Sequence, residues 1–196
     1  MAKLPENVLS LHPGEAIWER FYSVFPLTIV GTRELDGAID LAPKHLAIPF
    51  SWEDHFGFVC SPEHGTYKNV RRNAQFTVSY PRPNQVMLAS LAASPRCDDH
   101  KPALANLATF PAQRVDGELV KDAYLYLECE LDRVIDRLGP NSVIIGRIVA
   151  AHAHQDILKE TPTGEPGVPL LAYLYPGRYA EIRESFPFPF PKDFKR

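Results

Sequence analysis

The sequence predicts a mainly β, α+β protein: a barrel or sandwich of short strands with short inserted helices. Five or six segments show the alternation or β-branched enrichment of strands. Nineteen prolines divide the chain into short pieces, which excludes long helices over most of its length. The sequence has neither the G-x-G-x-x-G fingerprint of a Rossmann fold nor the Walker lysine motif, and its strands do not alternate regularly with helices.

The composition is that of a globular domain and limits the classes of function. The 196 residues are 45% hydrophobic and 23% charged, which is enough for one good core. The formal net charge of −3, without a long run of one sign, argues against non-specific nucleic-acid binding. No apolar run reaches the length of a signal peptide or a membrane helix. We therefore expect a cytoplasmic protein that binds neither nucleic acid nor membrane.

The cysteines predict neither a disulfide framework nor a metal site. Cys60, Cys97 and Cys129 are far apart and odd in number, which fits a reducing compartment. Cys97 and His100 have the spacing of a zinc-ligand pair, but no second pair stands near them. We expect both residues to belong to a surface loop and the protein to hold no metal.

The N-terminal third alternates between strand and turn patterns. Residues 14–25 have apolar residues near helical spacing, which favours a first short helix. Residues 26–37 are rich in β-formers and end in an Asp-Gly turn. Residues 38–52 contain two prolines, which predicts irregular or edge-strand structure. Residues 55–61 alternate aromatic and small side chains and are predicted to be a strand.

The remaining elements follow in the same way. The stretch "TYKNVRRN" predicts a short helix with Thr66 as its N-cap, and "AQFTVSY" predicts the next strand. The Ala/Leu-rich residues 84–110 predict two helices broken at Ser94-Pro95. Two long strand patterns follow at 123–138 and 141–155, then a Pro/Gly-flanked apolar piece and an extended tail, "FPFPFPKDFKR".

The helix start at "GTYKN" has two interpretations. The first backbone N–H groups of a helix lack intrahelical partners, and the helix dipole favours an anion there, so the start is a candidate phosphate site. A plain N-cap without a ligand fits the local pattern about equally well. The local sequence alone leaves both open.

The order of the segments resembles the flavin reductase-like family of FMN-binding split β-barrels. The family reads strand, Asp-Gly, Asn-Leu-Ala-Pro-x-Ser, strand, Lys-Asp-Thr-x-x-Asn and strand. This chain has "PLTIVGT", "DG", "IDLAPKHL", "GTYKN" and "AQFTVSY" in that order. Later "LYLECELDRVI", "VIIGRIVAAHAH" and "PLLAYLYPGRY" are similar to the family's Leu-x-Cys, Ile-Gly-x-Val and Tyr segments. The resemblance implies residues 20–185 as the domain, 1–19 as an N-terminal extension and 186–196 as a Phe/Pro-rich tail.

The resemblance also implies a set of cofactor-binding residues. One group would line the flavin ring and ribityl chain: Asp40, Leu41, Ala42, Pro43, Lys44 and His45. A second group would lie at the phosphate: His64, Gly65, Thr66 and Asn69. Gly65 admits a phosphate to the backbone without a Cβ clash, and Lys44, His45 and His64 offer positive charge.

The activity implied by the resemblance is hydride transfer from NADH or NADPH to FMN, or alternatively to FAD. The family places the flavin in a groove at a homodimer interface, and an unknown electron acceptor would complete the reaction. Asp40 and His45 stand where the family often has Asn and Ser, and "GPNS" replaces a Gly-Asp-His linked to nicotinamide binding. A non-catalytic flavin-binding protein or electron carrier is therefore the alternative, and no catalytic side chain is assigned.

Two expectations concern assembly. The Ile/Val-rich run from Val143 to Val149 is predicted to supply an apolar dimer face. The tail carries Phe186, Phe188, Phe190 and Phe194, and we expect it to pack in an ordered way, preferably against the partner subunit.

Overall fold

A computed structural model describes residues 4–93, 101–158 and 168–192. Two α-helices lie within these ranges, α1 (Gly65–Asn73) and α2 (Val86–Ala92). The strands are β1 (Ser23–Pro26), β2 (Thr28–Arg33), β3 (Ile39–Lys44), β4 (Ala47–Pro49), β5 (His55–Cys60), β6 (Gln75–Tyr80), β7 (Thr109–Pro111), β8 (Glu118–Val120), β9 (Leu125–Leu138), β10 (Asn141–Ala153), β11 (Leu170–Tyr175) and β12 (Arg178–Ile182).

The main structure is an antiparallel seven-stranded sheet in the order β3-β2-β6-β9-β10-β5-β4. Strands β9 and β10 form a long central hairpin whose register shifts at three places. Such shifts increase twist and bend the strands, which lets the sheet curl into a half-barrel. A second sheet, β1-β11-β12, and a small hairpin of β7 and β8 complete the β-structure of the described residues. The chain is thus a mainly β split barrel with few, short helices, as the sequence predicts.

Two apolar clusters bury the two faces of the sheet. One gathers Phe56, Phe58, Phe76 and Ile144 from the central strands, and α1 closes it with Val70. The other contains Ile29 and Leu41 from β2 and β3, and α2 covers it with Ala89 and Ala92. Each helix therefore packs on one face of the sheet near β3. The candidate site lies beside this edge strand, between the start of α1 and the end of α2.

Several elements differ from the sequence-based predictions. The predicted first helix is only a 3₁₀ turn, Ile17–Glu19, because the chain enters β1 at Ser23 and pairs with β11. Of the two predicted Ala/Leu-rich helices, α2 forms and the second is a 3₁₀ segment, Pro102–Asn106. The predicted break between them, with Cys97 and His100, lies outside the described residues.

The proline-containing segment 38–52 forms strands at both edges of the large sheet. Strand β3 holds Pro43 opposite Ile29 of β2, and β4 lies at the far edge beside β5. An edge strand needs only one ladder, so a missing N–H is tolerated there. The prediction of edge-like structure is confirmed by this arrangement.

The N-cap of helix α1 lies two residues earlier than predicted. His64 has the extended backbone of an N-cap residue and Gly65 is the first helical residue. Thr66 as N-cap is therefore wrong, because its hydroxyl lies inside the first turn and donates instead to Asp40 Oδ2 at 3.3 Å. At the other end Ala74 adopts a left-handed conformation and closes the helix with an N–H bond to Val70.

The Ile/Val-rich run of β10 is largely used by the chain's own core. Ile144 and Ile145 are buried and Gly146 lies against the ring of Phe76. The buried residues of this run cannot contribute to a dimer face, but Val143, Ile148 and Val149 are only half-buried, so the predicted apolar face stays a prediction. Among the described residues, no helix is long and apolar enough to cross a membrane.

A buried carboxylate on β9 fastens the loop between β7 and β8. The side chain of Glu128 has no exposed surface and accepts backbone N–H bonds from Gln113, Arg114 and Val115. His152 Nε2 lies 2.9 Å from its other oxygen. Burial alone would raise the pKa of Glu128, but these hydrogen bonds outweigh it and hold the pKa below its usual range.

We predict that Glu128→Ala lowers the free energy of unfolding by roughly 2–4 kcal/mol, because three loop N–H groups lose their acceptor. Since the pKa of Glu128 is depressed in the folded state, its contribution is present above the ordinary carboxyl pKa and is lost as pH falls through the folded value. Urea unfolding at pH 7 and at pH 3.5 measures both effects.

The matched control is Glu130→Ala on the same strand. Glu130 is about half exposed, and its ion pair among the described residues is with the exposed Arg147, so its removal changes stability by less than about 1 kcal/mol. Equal effects of the two substitutions would contradict the role of Glu128 in holding the loop between β7 and β8.

Candidate functional site

The end of β3 and the start of α1 meet between two adjoining cavities. The polar cavity, of about 430 Å³, lies between β3, α1 and the end of α2. The aromatic cavity, of about 680 Å³, lies between β3, β5 and the turn of β11. Pro43, Lys44 and His64 line both cavities and form their shared wall. The two spaces therefore form one groove that passes the N-terminus of α1.

The polar cavity is built around a buried ion pair. Asp40 is 2% exposed, and its Oδ1 lies 2.8 Å from Nζ of Lys101. The same ammonium group donates to the carbonyls of Leu41 at 2.8 Å and Ala92 at 3.1 Å. Because a lysine has three N–H donors, the hydrogen-bonding capacity of Lys101 is filled within the chain. Thr66 donates to the other oxygen of Asp40, so β3, α1 and α2 are joined through one carboxylate.

The aromatic cavity is lined mainly by rings and aliphatic side chains. His45 stacks on Tyr175 with ring centroids 5.4 Å apart and 24° between the planes. Tyr173 and Phe25 contact the same imidazole at 4.7 and 5.7 Å. Burial, followed by the charge of Lys44, lowers the pKa of His45, which favours the neutral ring. The complete lining is Trp18, Phe25, Pro43, Lys44, His45, Leu46, Val59, Cys60, Ser61, His64, Asn141 and Tyr175.

The shared wall carries positive charge that no ion pair within the described residues neutralises. Lys44 Nζ donates to the thiol of Cys60 at 3.5 Å, and no carboxylate in the described ranges forms an ion pair with it. His64 Nδ1 lies 4.0 Å from the same thiol. Burial, then Lys44 and Lys101, lower the pKa of His64, as expected where cations converge. Burial raises the pKa of Cys60 despite these neighbours, which favours the neutral thiol.

The structure brings most of the predicted site residues together. The polar cavity is lined by Asp40, Ala42, Pro43, Lys44, His64, Gly65 and Thr66, and His45 lines the aromatic cavity beside them. Two predicted residues lie elsewhere. Leu41 is in the apolar core with its carbonyl on Lys101, and Asn69 is buried between the Thr32 hydroxyl and Arg72. Asn69 thus braces α1 from behind the cavity.

Several residues that line the groove are not indicated by the sequence patterns, among them Lys101, Trp18 and Asn141. Lys101 lies 61 positions after Asp40 in a segment predicted to be helical, so no local pattern connects the two. Trp18 lies in the predicted N-terminal extension, and Asn141 lies in the "GPNS" stretch, whose distinguishing feature in the sequence is its lack of a histidine. The sequence signal for Lys101 is that it is the one lysine of the Ala/Leu-rich residues 84–110.

Comparison with known proteins gives the family. Residues 22–183 match the family model described as a flavin reductase like domain. The chain belongs to the flavin reductase-like family. No significant sequence match to a curated protein was found.

Solved structures with the same split-barrel fold are distant in sequence from this flavin reductase-like chain. Nitrilotriacetate monooxygenase component B from Bacillus cereus is 18% identical with a TM-score of 0.83, covering 94% of this chain and 100% of that one. Flavoredoxin from Methanosarcina acetivorans is 16% identical, TM-score 0.76, covering 95% and 97%. FMN-binding protein from Thermus thermophilus, with bound 1-cyclohex-2-enone, is 21% identical, TM-score 0.74, covering 95% and 99%. At these identities the likeness shows the fold.

We predict that Lys101→Met lowers the free energy of unfolding by about 3–5 kcal/mol, because it leaves the buried charge of Asp40 without its cation. Adding Asp40→Asn removes that charge and restores more than half of the loss. Guanidinium unfolding of the single and double variants measures the coupling.

Lys121→Met is the control, since this exposed lysine changes stability by less than about 0.5 kcal/mol. If the double variant is no more stable than Lys101→Met, the loss of stability does not come from the uncompensated charge of Asp40, and the ion pair does not stabilise the polar cavity.

Proposed function

We propose that this protein binds FMN in the groove and transfers hydride to it from NADH or NADPH, as an NAD(P)H:flavin oxidoreductase. The observation that carries the proposal is the cation Lys44 on the shared wall, which forms no ion pair with a described carboxylate and lies beside His64 and the first turn of α1. Together these groups favour an anion such as a phosphate. Membership of the flavin reductase-like family, and a solved fold relative that is an FMN-binding protein, support FMN as that ligand.

The residues of β3 suit the ring of a flavin mononucleotide, and those of α1 suit its phosphate. The polar cavity offers the backbone of β3 beside Pro43 to a heteroaromatic ring, and Lys101 cancels the charge of Asp40 that would otherwise repel an anion. The helix start at Gly65 and Thr66 offers backbone N–H groups to the phosphate. Because the Thr66 hydroxyl is already bonded to Asp40, its backbone rather than its side chain would contact the phosphate.

The bound flavin would supply the hydride chemistry, and the protein would supply orientation and electrostatics. Lys44 and His64 would hold the anionic end, while Pro43 and the neighbouring strand would fix the ring. No acid or base is required of the chain, which fits the lack of an assigned catalytic side chain. The final electron acceptor and the choice between NADH and NADPH are left open by this proposal.

A flavin-binding protein or electron carrier without reductase activity is the second candidate. It is favoured by Asn141, which lines the aromatic cavity where the "GPNS" stretch lacks the family's histidine. The two functions separate in one experiment: purified protein is loaded with FMN and titrated anaerobically with NADH or NADPH. Bleaching of the flavin absorbance supports the oxidoreductase; stable yellow protein supports the carrier; failure to bind FMN contradicts both.

We further propose a cytoplasmic homodimer in which the partner subunit covers part of the groove. The buried cysteines Cys60 and Cys129 are free thiols, which suits a reducing compartment. The aromatic cavity is open along the exposed Trp18, and the tail leaves Phe186 and Phe188 81% and 70% exposed. A second copy that covers these surfaces would bury about 2,000 Å² or more in total.

We predict that Lys44→Gln weakens FMN binding about tenfold and leaves riboflavin binding unchanged, because it removes one charge-assisted contact to the phosphate. Fluorescence titration of both flavins measures this. Lys68→Gln, which removes the same charge from the exposed face of α1, is the control and alters neither affinity. An equal loss of FMN and riboflavin affinity would argue against a phosphate at Lys44.

We predict that replacing Phe186, Phe188 and Phe190 by serine weakens the homodimer at least about tenfold, since their apolar contacts are lost while the prolines and the chain length remain. Sedimentation velocity across a concentration series is the measurement. A variant that melts and sediments like the unmodified chain would show that the tail does not contribute to the dimer.

A further inference from the structure

The first turn of α1 is bonded to the end of the central hairpin as well as to β3. The hydroxyl of Tyr67 donates to Oδ1 of Asp136, near the end of β9, at 3.0 Å. The hydroxyl of Ser142, at the start of β10, donates to the same oxygen at 2.6 Å. One carboxylate oxygen therefore joins the helix to both strands of the hairpin.

The carboxylate of Asp136 is suited to hold both hydroxyls. An ionised carboxylate has acceptors only, so each hydroxyl acts as the donor. The two hydrogen bonds are the main reason why the pKa of Asp136 lies below its usual range. The charges of Arg71 and Arg137 lower this pKa further, and burial offsets these effects only in part. Asp136 therefore stays a charged acceptor, which makes both bonds stronger than bonds between neutral groups.

The two hydroxyl-bearing residues are each next to a residue that lines the groove. Tyr67 follows Thr66, which lines the polar cavity, and Ser142 follows Asn141, which lines the aromatic cavity. Asp136 itself lines neither of these cavities. Its hydrogen bonds therefore act on the walls of the groove and not on a ligand directly.

Two carboxylates from different parts of the sheet hold consecutive residues of α1. Thr66 donates to Asp40 on β3, and Tyr67 donates to Asp136 on β9. In the sheet these two strands are separated by β2 and β6. Neighbouring side chains of a helix point about 100° apart, so the two bonds fix both the position and the rotation of the first turn. The unpaired N–H groups of that turn take their direction from it.

We propose that Asp136 is a positioning residue of the phosphate site, which aims the first-turn N–H groups of α1 at an anion held by Lys44. This inference rests on the proposed function and adds a residue that contributes to it without touching the flavin. When the carboxylate is removed, the first turn loses one of its two anchors and shifts relative to Lys44. The affinity lost in this way belongs to the phosphate of the ligand and not to its ring.

The test compares FMN with riboflavin, which lacks the phosphate, by fluorescence titration. Asp136→Ala raises the Kd for FMN about fivefold and leaves the Kd for riboflavin unchanged. Asp136→Asn restores the FMN affinity to within about twofold, because its amide oxygen still accepts from both hydroxyls. Asp132→Ala is the matched control and alters neither affinity, because this exposed carboxylate of β9 pairs with its neighbour Arg133.

A second variant tests the same contact from the helix. Tyr67→Phe keeps a ring that packs against the apolar core and removes only the hydroxyl, so it also serves if Asp136→Ala does not fold. It gives the same selective loss of FMN affinity as Asp136→Ala. The double variant loses no more than either single variant, because the two residues act through one hydrogen bond.

Three results would overturn the positioning role of Asp136. These are an unchanged Kd for FMN in the alanine variant, an equal loss of FMN and riboflavin affinity, and additive losses in the double variant with Tyr67→Phe. An asparagine variant as weak as the alanine variant would also contradict it, since the charge and not the hydrogen bonds would then matter. If the unmodified protein binds neither flavin, the proposed function itself is wrong.

Discussion

The ion pair between Asp40 and Lys101 is the interaction on which the candidate site depends. A carboxylate with 2% exposure must be matched by a cation and hydrogen bonds, because desolvating it alone would be very unfavourable. Lys101 supplies the cation and also bonds the carbonyls of Leu41 and Ala92. Thr66 completes the set from α1. One buried charge thus fixes the distance between an edge strand and the two helices that border the polar cavity.

The contrast between two lysines gives the groove its polarity. Lys101 satisfies its donors within the chain, whereas Lys44 contacts a neutral thiol and faces both cavities. The first stabilises the fold and the second is available to a ligand. Because Lys44 stands beside the start of α1, the shared wall offers cationic and N–H groups to an anion although the chain as a whole carries a net charge of −3.

Local patterns predict much of this protein, and long-range pairings account for the rest. The strands, the helix at "GTYKN" and the cluster of β3 and α1 residues follow from alternation, proline positions and motif order. Lys101 does not, because its partner is 61 positions away and the ion pair exists only once α2 has packed on the sheet. Glu128 is similar: strand alternation gives no sign that a surface loop will bury its carboxylate. His45 was predicted as a site residue, but its stacking on Tyr175 required the second sheet to fold back over β3.

The hydrogen bonds to Glu128 change how the loop between β7 and β8 can open. Surface loops usually fluctuate independently of the sheet that carries them, and their amide protons exchange quickly with solvent. Here three consecutive loop amides are bonded to a carboxylate on the central strand β9. To release them, the chain must either break several charge-assisted bonds together or separate β9 from its neighbours. The loop therefore belongs to the same cooperative opening unit as the centre of the sheet.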